Sequence, residues 1–216
     1  MKGSFRNLFF LCGVFSLMLI SSHNARAQKL ELGGGAAYKV FLGNGKNFYE
    51  PALGFEFTAL KQELLPFSSD ILNLGISIGA YRFEGKDRLN LDDHQSNEIE
   101  NFNQQLIETK MVYRYDYYFS DLFTFFFGSD LGFQFVTLNT DTPIVSSENP
   151  ATKLYTKAIL APNGGVNVEF NEYLALFYKL EYGLSLNLGQ LPEWGTPSSK
   201  WNHLLTNSAG VRFRLY

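Results

Sequence analysis

The stretch Met111–Phe135, MVYRYDYYFSDLFTFFFGSDLGFQF, alternates between large apolar side chains and polar or small ones. A period of two is typical of β-strands, because successive side chains of a strand point to opposite faces of the sheet. Arg114, Asp116 and Asp130 fall on one face, and most of the aromatic residues fall on the other. The stretch therefore predicts a β-hairpin with one apolar face, one polar face and Asp121 in its turn.

The same alternation recurs along the chain after Gln28 and gives eight apolar sets. Long polar segments follow the odd-numbered sets and short links follow the even-numbered ones, with the longer link 61–70 as an exception. This arrangement predicts an all-β fold, an eight-stranded antiparallel up-and-down transmembrane β-barrel. Both termini and the short links lie at one end of the predicted barrel. The long loops lie at the other end, at 42–50, 84–104, 139–152 and 189–201.

The apolar face of this barrel is predicted to point outward. An eight-stranded barrel has an interior only wide enough for side chains to fill it, and the apolar face carries dozens of large residues. The opposite face is rich in glycine and serine, which suits a narrow lumen. A soluble lipocalin-like barrel with its apolar face inward is the alternative. Aromatic residues beside one short turn predict a girdle at a membrane interface: Tyr113, Tyr115, Tyr117, Phe119 and Phe123.

The polar face is predicted to form a charge network inside a closed, polar lumen. Buried charges need partners, and the nearly balanced signs of this face supply them. The alternative is that these charged residues form a path for ions or protons through the lumen. If facing residue numbers in the central hairpin sum to 240, Lys110 lies opposite Asp130 and forms an ion pair with it. The charged residues of this face are Glu31, Lys39, Glu56, Glu108, Lys110, Arg114, Asp116, Asp130, Glu169, Lys179, Glu181, Arg212 and Arg214.

The N-terminal residues 1–27 predict a cleaved signal peptide, followed by a barrel domain at 28–216. A positive start precedes the apolar run Leu8–Ile20, and the small-x-small triplet Ala25-Arg26-Ala27 comes directly before Gln28. Cys12 is the only cysteine and lies within the signal. The mature chain therefore has no disulfide, no thiol catalyst and no cysteine-bound metal. Its 15 basic and 21 acidic residues give a net charge of −6, without the basic stripe of a nucleic-acid-binding protein.

Catalysis and cofactor binding are not expected. A serine hydrolase needs a histidine base, and His203 has outward parity whereas Ser208 has inward parity. The acidic loop 84–104 lacks the spacing and the central glycine of a calcium loop, so we predict no metal and no cofactor. Four loop residues are candidates for external contacts: Asp92, Asp93, His94 and Trp194.

The chain resembles the small eight-stranded outer-membrane β-barrel family, the OmpA-transmembrane and OmpX-like group together with the PorT-like barrels. The resemblance covers the whole mature chain and rests on the signal, the strand count, the loop asymmetry and the closing stretch NSAGVRFRLY. Tyr216 departs from the family's terminal strand signal, because it shares parity with Arg212 and Arg214 rather than with Val211.

The resemblance implies a location in the bacterial outer membrane, in contact with its lipid. The predicted role is structural or interactive, with external loops that meet an extracellular or periplasmic protein partner. Two alternatives stay open. The first is a transport or export-support barrel, either a narrow conduit or an accessory to a secretion complex. The second, weaker alternative is a lipid-modifying enzyme.

Overall fold

The computed structural model describes residues 29–64, 71–86, 89–90, 98–99, 102–140, 153–188 and 201–215. Among these residues, no helix has the length and apolar composition needed to cross a membrane. A short 3₁₀ helix, Gly43–Asn47, follows the first strand. The strands are β1 (Lys29–Leu42), β2 (Ala52–Leu64), β3 (Ile71–Glu84), β4 (Leu89–Asn90), β5 (Glu98–Ile99), β6 (Phe102–Tyr118), β7 (Phe123–Thr140), β8 (Lys153–Asn171), β9 (Leu174–Asn187) and β10 (Trp201–Leu215).

Eight of these strands form a closed antiparallel barrel in the order β1-β2-β3-β6-β7-β8-β9-β10, and β10 pairs with β1 to complete it. The predicted up-and-down barrel is therefore confirmed. The links 119–122 and 172–173 lie at one end, together with the end of β2 and the start of β3, and we call this the turn end. The segments 43–51, 85–101, 141–152 and 188–200 leave from the other, which we call the loop end. Strands β4 and β5 pair with each other within the second of these segments.

The strands extend further toward the loop end than the sequence predicts. Strand β3 continues to Glu84, β6 begins at Phe102 and β7 continues to Thr140. Main-chain pairing continues beyond β3, because Tyr49 bridges to Gly85 and the amide of Glu50 donates to the carbonyl of Glu84 (2.9 Å). The first two loop-end segments are thus connected by main-chain hydrogen bonds above the barrel.

The predicted register of the central hairpin is wrong by two residues. Lys110 pairs with Gly132, so facing residue numbers sum to 242 rather than 240. Five residues separate the last pair, Tyr118 and Thr124, and the turn is closed by hydrogen bonds from the Phe119 and Ser120 amides to the Phe123 carbonyl. A shift of two residues keeps every side chain on its face, so hydrophobic patterning does not distinguish the two registers.

The barrel is apolar outside and charged inside. Large side chains are exposed on its outer surface, including Leu53 (76%) and Phe55 (65%). Arg114, Lys39 and Glu31 are among the largest fully buried side chains. This is the predicted orientation, and it is opposite to that of a soluble barrel with an apolar core.

Two neighbouring glycines of β8 differ sharply in the space around them. A Cβ on Gly165 would lie 2.0 Å from the Tyr178 carbonyl oxygen of the adjacent strand, whereas a Cβ on Gly164 would lie 3.4 Å from its nearest neighbour, the Phe126 carbonyl oxygen. We expect Gly165→Ala to lower the free energy of unfolding by about 1–3 kcal/mol, because the adjacent backbone must move. Gly164→Ala is the matched control and should change it little. Equal effects in urea unfolding would contradict this packing.

Candidate functional site

The charged side chains that the structure places in the lumen form three clusters. The turn-end cluster contains three carboxylates and three guanidinium groups. The middle cluster contains three carboxylates and two ammonium groups, and the loop-end cluster contains one carboxylate and two ammonium groups. Together they hold seven acidic and seven basic residues. The turn-end cluster is Glu31, Arg114, Asp116, Glu169, Arg212 and Arg214; the middle cluster is Glu56, Lys110, Asp130, Lys179 and Glu181; the loop-end cluster is Lys39, Glu108 and Lys157.

Arg114 organises the turn-end cluster. Its Nε and Nη2 donate to the two carboxylate oxygens of Asp116 (2.7 and 2.9 Å), and its Nη1 donates to Glu31 (2.7 Å). Arg214 makes a second two-pronged contact with Glu169 (2.8 and 2.9 Å). Charge-assisted, bidentate contacts of this kind are the strongest side-chain hydrogen bonds, and they hold the buried guanidinium groups in fixed positions.

Arg212 is held in the same cluster by aromatic rings and by a hydrogen bond that its Nη1 donates to Oδ1 of Asn167 (2.5 Å). Its guanidinium carbon lies 4.4 Å from the ring centre of Phe126 and 4.6 Å from that of Phe177. Its Nε lies 3.5 Å from Glu31. A guanidinium group stacks favourably on aromatic faces because it is planar and weakly hydrated. The lumen therefore uses cation–π contacts as well as ion pairs to bury charge.

Lys110 is the centre of the middle cluster. Its Nζ lies 2.7 Å from both Glu181 oxygens and 3.6 Å from Glu56, Glu108 and Asp130. The expected contact between Lys110 and Asp130 is therefore present, although the two residues are not directly opposite in the ladder. Its contact with Glu108 also joins the middle cluster to the loop-end cluster.

Three carboxylates of the middle cluster, Glu56, Asp130 and Glu181, have oxygens within 4.8 Å of one another. Such a group could bind a metal ion. Here Lys110 and Lys179 supply the positive charge instead, since Lys179 Nζ lies 3.1 Å from Glu181 and 3.9 Å from Asp130. The donor set already has counter-ions, so the arrangement is that of an ion-pair network.

An apolar cap fills the lumen above the loop-end cluster, although the sequence predicts a polar lumen throughout. Phe41 contacts Tyr49 and Phe83, with ring centres 5.0 and 4.8 Å apart, and Tyr49 contacts Phe102 at 5.5 Å. Burial raises the pKa of the Tyr49 hydroxyl well above its usual value, so Tyr49 stays neutral. We call Phe41, Tyr49, Phe83, Phe102 and Tyr155 the aromatic cap. Phe41, Phe83 and Phe102 have inward parity, which is the signal that could have identified the cap.

A cavity of about 20 Å³ lies between the turn-end and middle clusters, beside Arg114, Asp130 and Arg212. This volume suits a single water molecule. A larger, open cleft of about 620 Å³ lies at the turn end, lined by Phe119 and Phe170 and by Glu169 and Arg214 of the turn-end cluster.

The other predicted site residues take the following positions. Tyr113, Tyr117, Phe119 and Phe123 are exposed on the outer surface at the turn end, and Tyr115 is half-buried there. The predicted signal peptide, Tyr216 and the loop candidates Asp92, Asp93, His94 and Trp194 lie outside the described residues. Lys157 is not among the predicted lumen residues, because the sixth apolar set of the sequence is recognisable only from Leu160 onward, whereas β8 begins at Lys153.

A serine–histidine pair is not formed by the described residues. The Tyr182 hydroxyl lies 2.7 Å from Nδ1 of His203 on the outer surface. Ser208 lies inside the lumen and donates to Glu56 (3.0 Å). The wall of the barrel separates the histidine from the serine, as their opposite parities predict.

Comparison of the sequence with protein-family models and with curated proteins gives no match. The fold is similar to that of Ail, the attachment invasion locus protein of Yersinia pestis, in complex with the heparin analogue sucrose octasulfate (TM-score 0.51, 10% identity, 88% of this chain and 100% of that chain). It is also similar to Neisserial surface protein A, NspA (TM-score 0.53, 14% identity, 85% and 96%). At these identities the likeness shows the fold alone, that of small eight-stranded outer-membrane barrels.

Proposed function

We propose that this chain is an integral protein of the bacterial outer membrane, exported with a signal peptide at residues 1–27, whose barrel anchors external interaction loops. The outer surface supports a lipid environment, because large apolar side chains such as Phe57 (64%), Met111 (57%) and Leu131 (58%) are exposed on strands β2, β6 and β7. A monomeric protein in water rarely exposes so many large apolar side chains together. The fold shared with outer-membrane barrels agrees with this location.

The filled lumen is the observation that carries an anchoring role rather than transport. The three charge clusters and the aromatic cap occupy the described interior. The cavity between the turn-end and middle clusters is about 20 Å³. An eight-stranded barrel leaves room for side chains, whereas porins with an aqueous channel have about sixteen strands or more. In this proposal, the barrel is a rigid support and the loops carry the interaction.

The charge of the loops favours a cationic partner. The segments 43–51, 85–101, 141–152 and 188–200 contain nine acidic and four basic residues, a net charge of −5. The similar protein Ail was crystallised with a polyanion, sucrose octasulfate. Loops of negative net charge repel a polyanion at long range and attract a cationic surface. We therefore propose that this chain differs from Ail in the charge of its partner.

The test combines fractionation with planar-bilayer recordings of the purified barrel. We expect the protein in the outer-membrane fraction, with a gel mobility that changes on boiling because the folded barrel resists detergent. We expect no stepwise conductance in the bilayer, since the lumen is filled. Reproducible single-channel steps would instead favour the transport alternative. Recovery as a soluble periplasmic protein would overturn the anchoring role.

A further inference from the structure

Lys157 differs from the other charged residues of the lumen in having no carboxylate beside it. Its side chain is 3% exposed, and its Nζ faces the rings of Tyr155 (5.4 Å) and Phe41 (5.9 Å). Within the described part of the chain, no acidic group lies within ion-pair distance of this ammonium. A buried charge without a counter-ion is costly, and cation–π contacts at these distances offset only part of that cost.

The same region has buried hydrogen-bond donors without acceptors. The amide nitrogens of Gln104 and Asn202 are buried and make no hydrogen bond among the described residues. Gln104 lies beside Tyr155, whose hydroxyl is 3.5 Å from its Oε1, and Asn202 lies on β10 opposite Ser185. The strands β6, β8 and β10 thus each contribute an unpaired donor to the loop end of the lumen.

The composition of the loop-end cluster also leaves Lys157 without a counter-ion. It contains two cations, Lys39 and Lys157, and one carboxylate, Glu108. Lys39 is already paired with Glu108, and Gln134 donates to that carboxylate as well (2.6 Å). The carboxylate of this cluster is therefore already occupied, and the carboxylates Glu56 and Glu181 of the middle cluster lie against Lys110 and Lys179 rather than Lys157. A buried ammonium at the same end as unpaired amide donors is the chemistry of an anion site.

We propose that the loop end of the lumen binds a small anion of carboxylate or halide size against Lys157, with the Gln104 and Asn202 amides as further donors. The aromatic cap covers this position, because Phe41 contacts both Lys157 and the rings of Tyr49 and Phe83. The anion is taken up as the barrel folds, and it becomes part of the closed interior.

The test refolds the full barrel from urea into detergent micelles with increasing sodium formate. Ionic strength is held constant with sodium gluconate, whose anion is much larger than formate. In the wild type, the midpoint of thermal unfolding should rise by about 5 °C once formate is in hundredfold excess over its Kd. Lys157→Met keeps the length of the side chain and removes its charge, so its midpoint should not respond.

Lys86→Met is the matched control, since Lys86 lies near the same end, 40% exposed and 3.8 Å from Glu50. It should respond to formate as the wild type does. A wild-type response equal to that of Lys157→Met would overturn the proposal. If Lys157→Met does not refold, crystals of wild type refolded and grown in sodium bromide decide: an anomalous peak against the Lys157 ammonium is expected, and its absence would refute the site. Neither readout depends on location or loop binding, so the anchoring proposal is tested separately.

Discussion

Replacing Arg114 by methionine should lower the free energy of unfolding by about 3–5 kcal/mol. The change leaves Asp116 without its two-pronged partner inside the lumen and removes the closest cation of Glu31. Removal of one member of a buried ion pair has a cost of this size, because the remaining charge is neither hydrated nor paired. Equilibrium unfolding in urea, with the barrel in lipid vesicles, measures the loss.

The chain contains a matched control for this substitution. Arg82 also contacts a carboxylate two residues further along its own strand, Glu84, at 2.8 Å. That pair is 60% exposed at both side chains, and exposed pairs contribute little. Arg82→Met should therefore change stability by no more than about 0.5 kcal/mol. Adding Asp116→Asn to Arg114→Met should recover part of the loss. Similar small losses at Arg114 and Arg82 would show that the lumen is hydrated.

Leu131→Arg should lower the free energy of unfolding in vesicles by about 2–4 kcal/mol. Leu131 is near the middle of β7, 58% exposed and opposite Met111, which is 57% exposed. In the proposed orientation both face the centre of the bilayer, where an arginine on the lipid side of a barrel has this cost. In a water-soluble barrel the same exposed position would tolerate arginine with a change of about 0.5 kcal/mol or less.

Leu122→Arg provides the control for depth. Leu122 is 49% exposed in the turn between β6 and β7, at the edge of the barrel. The cost of arginine falls to about 0–1 kcal/mol near the interface. Equal costs at positions 131 and 122 would contradict the proposed placement of the bilayer. Together the two variants test the membrane assignment without any ligand.

The strand count, the orientation and most of the charge network follow from parity alone. In a barrel this narrow, a polar side chain with inward parity must lie in the lumen. Arg114 and Glu181 could therefore be assigned to the lumen before their partners were known. The register was not predictable in the same way, because a shift by two residues preserves every face. Hydrogen bonds of the turn after Tyr118 decide between the two registers, and they depend on local geometry.

The bounds of the strands were also not predictable from the sequence. Apolar alternation fades toward the loop end of the strands, so the sixth apolar set is recognisable only from Leu160 onward and does not include Lys157. The aromatic cap was missed for a related reason. Phe41 and Phe83 have inward parity, which indicates aromatic side chains in the lumen. The lumen was expected to be polar, so this indication was not used. Parity predicts whether a side chain points into the lumen or outward. Its position along the barrel axis determines whether its neighbours are charged or aromatic.

The pairing of β1 with β10 also constrains the order of folding. Leu30 lies opposite Leu215, so the seam joins residues from the two extremes of the described chain. Glu31 is paired by Arg114 from the middle of the sequence and by Arg212 and Arg214 from its far end. Neutralisation of this carboxylate is therefore completed only when the seam closes. A chain stalled before β10 would hold an incompletely paired anion beside an open sheet edge, and such an intermediate would require protection by the cell.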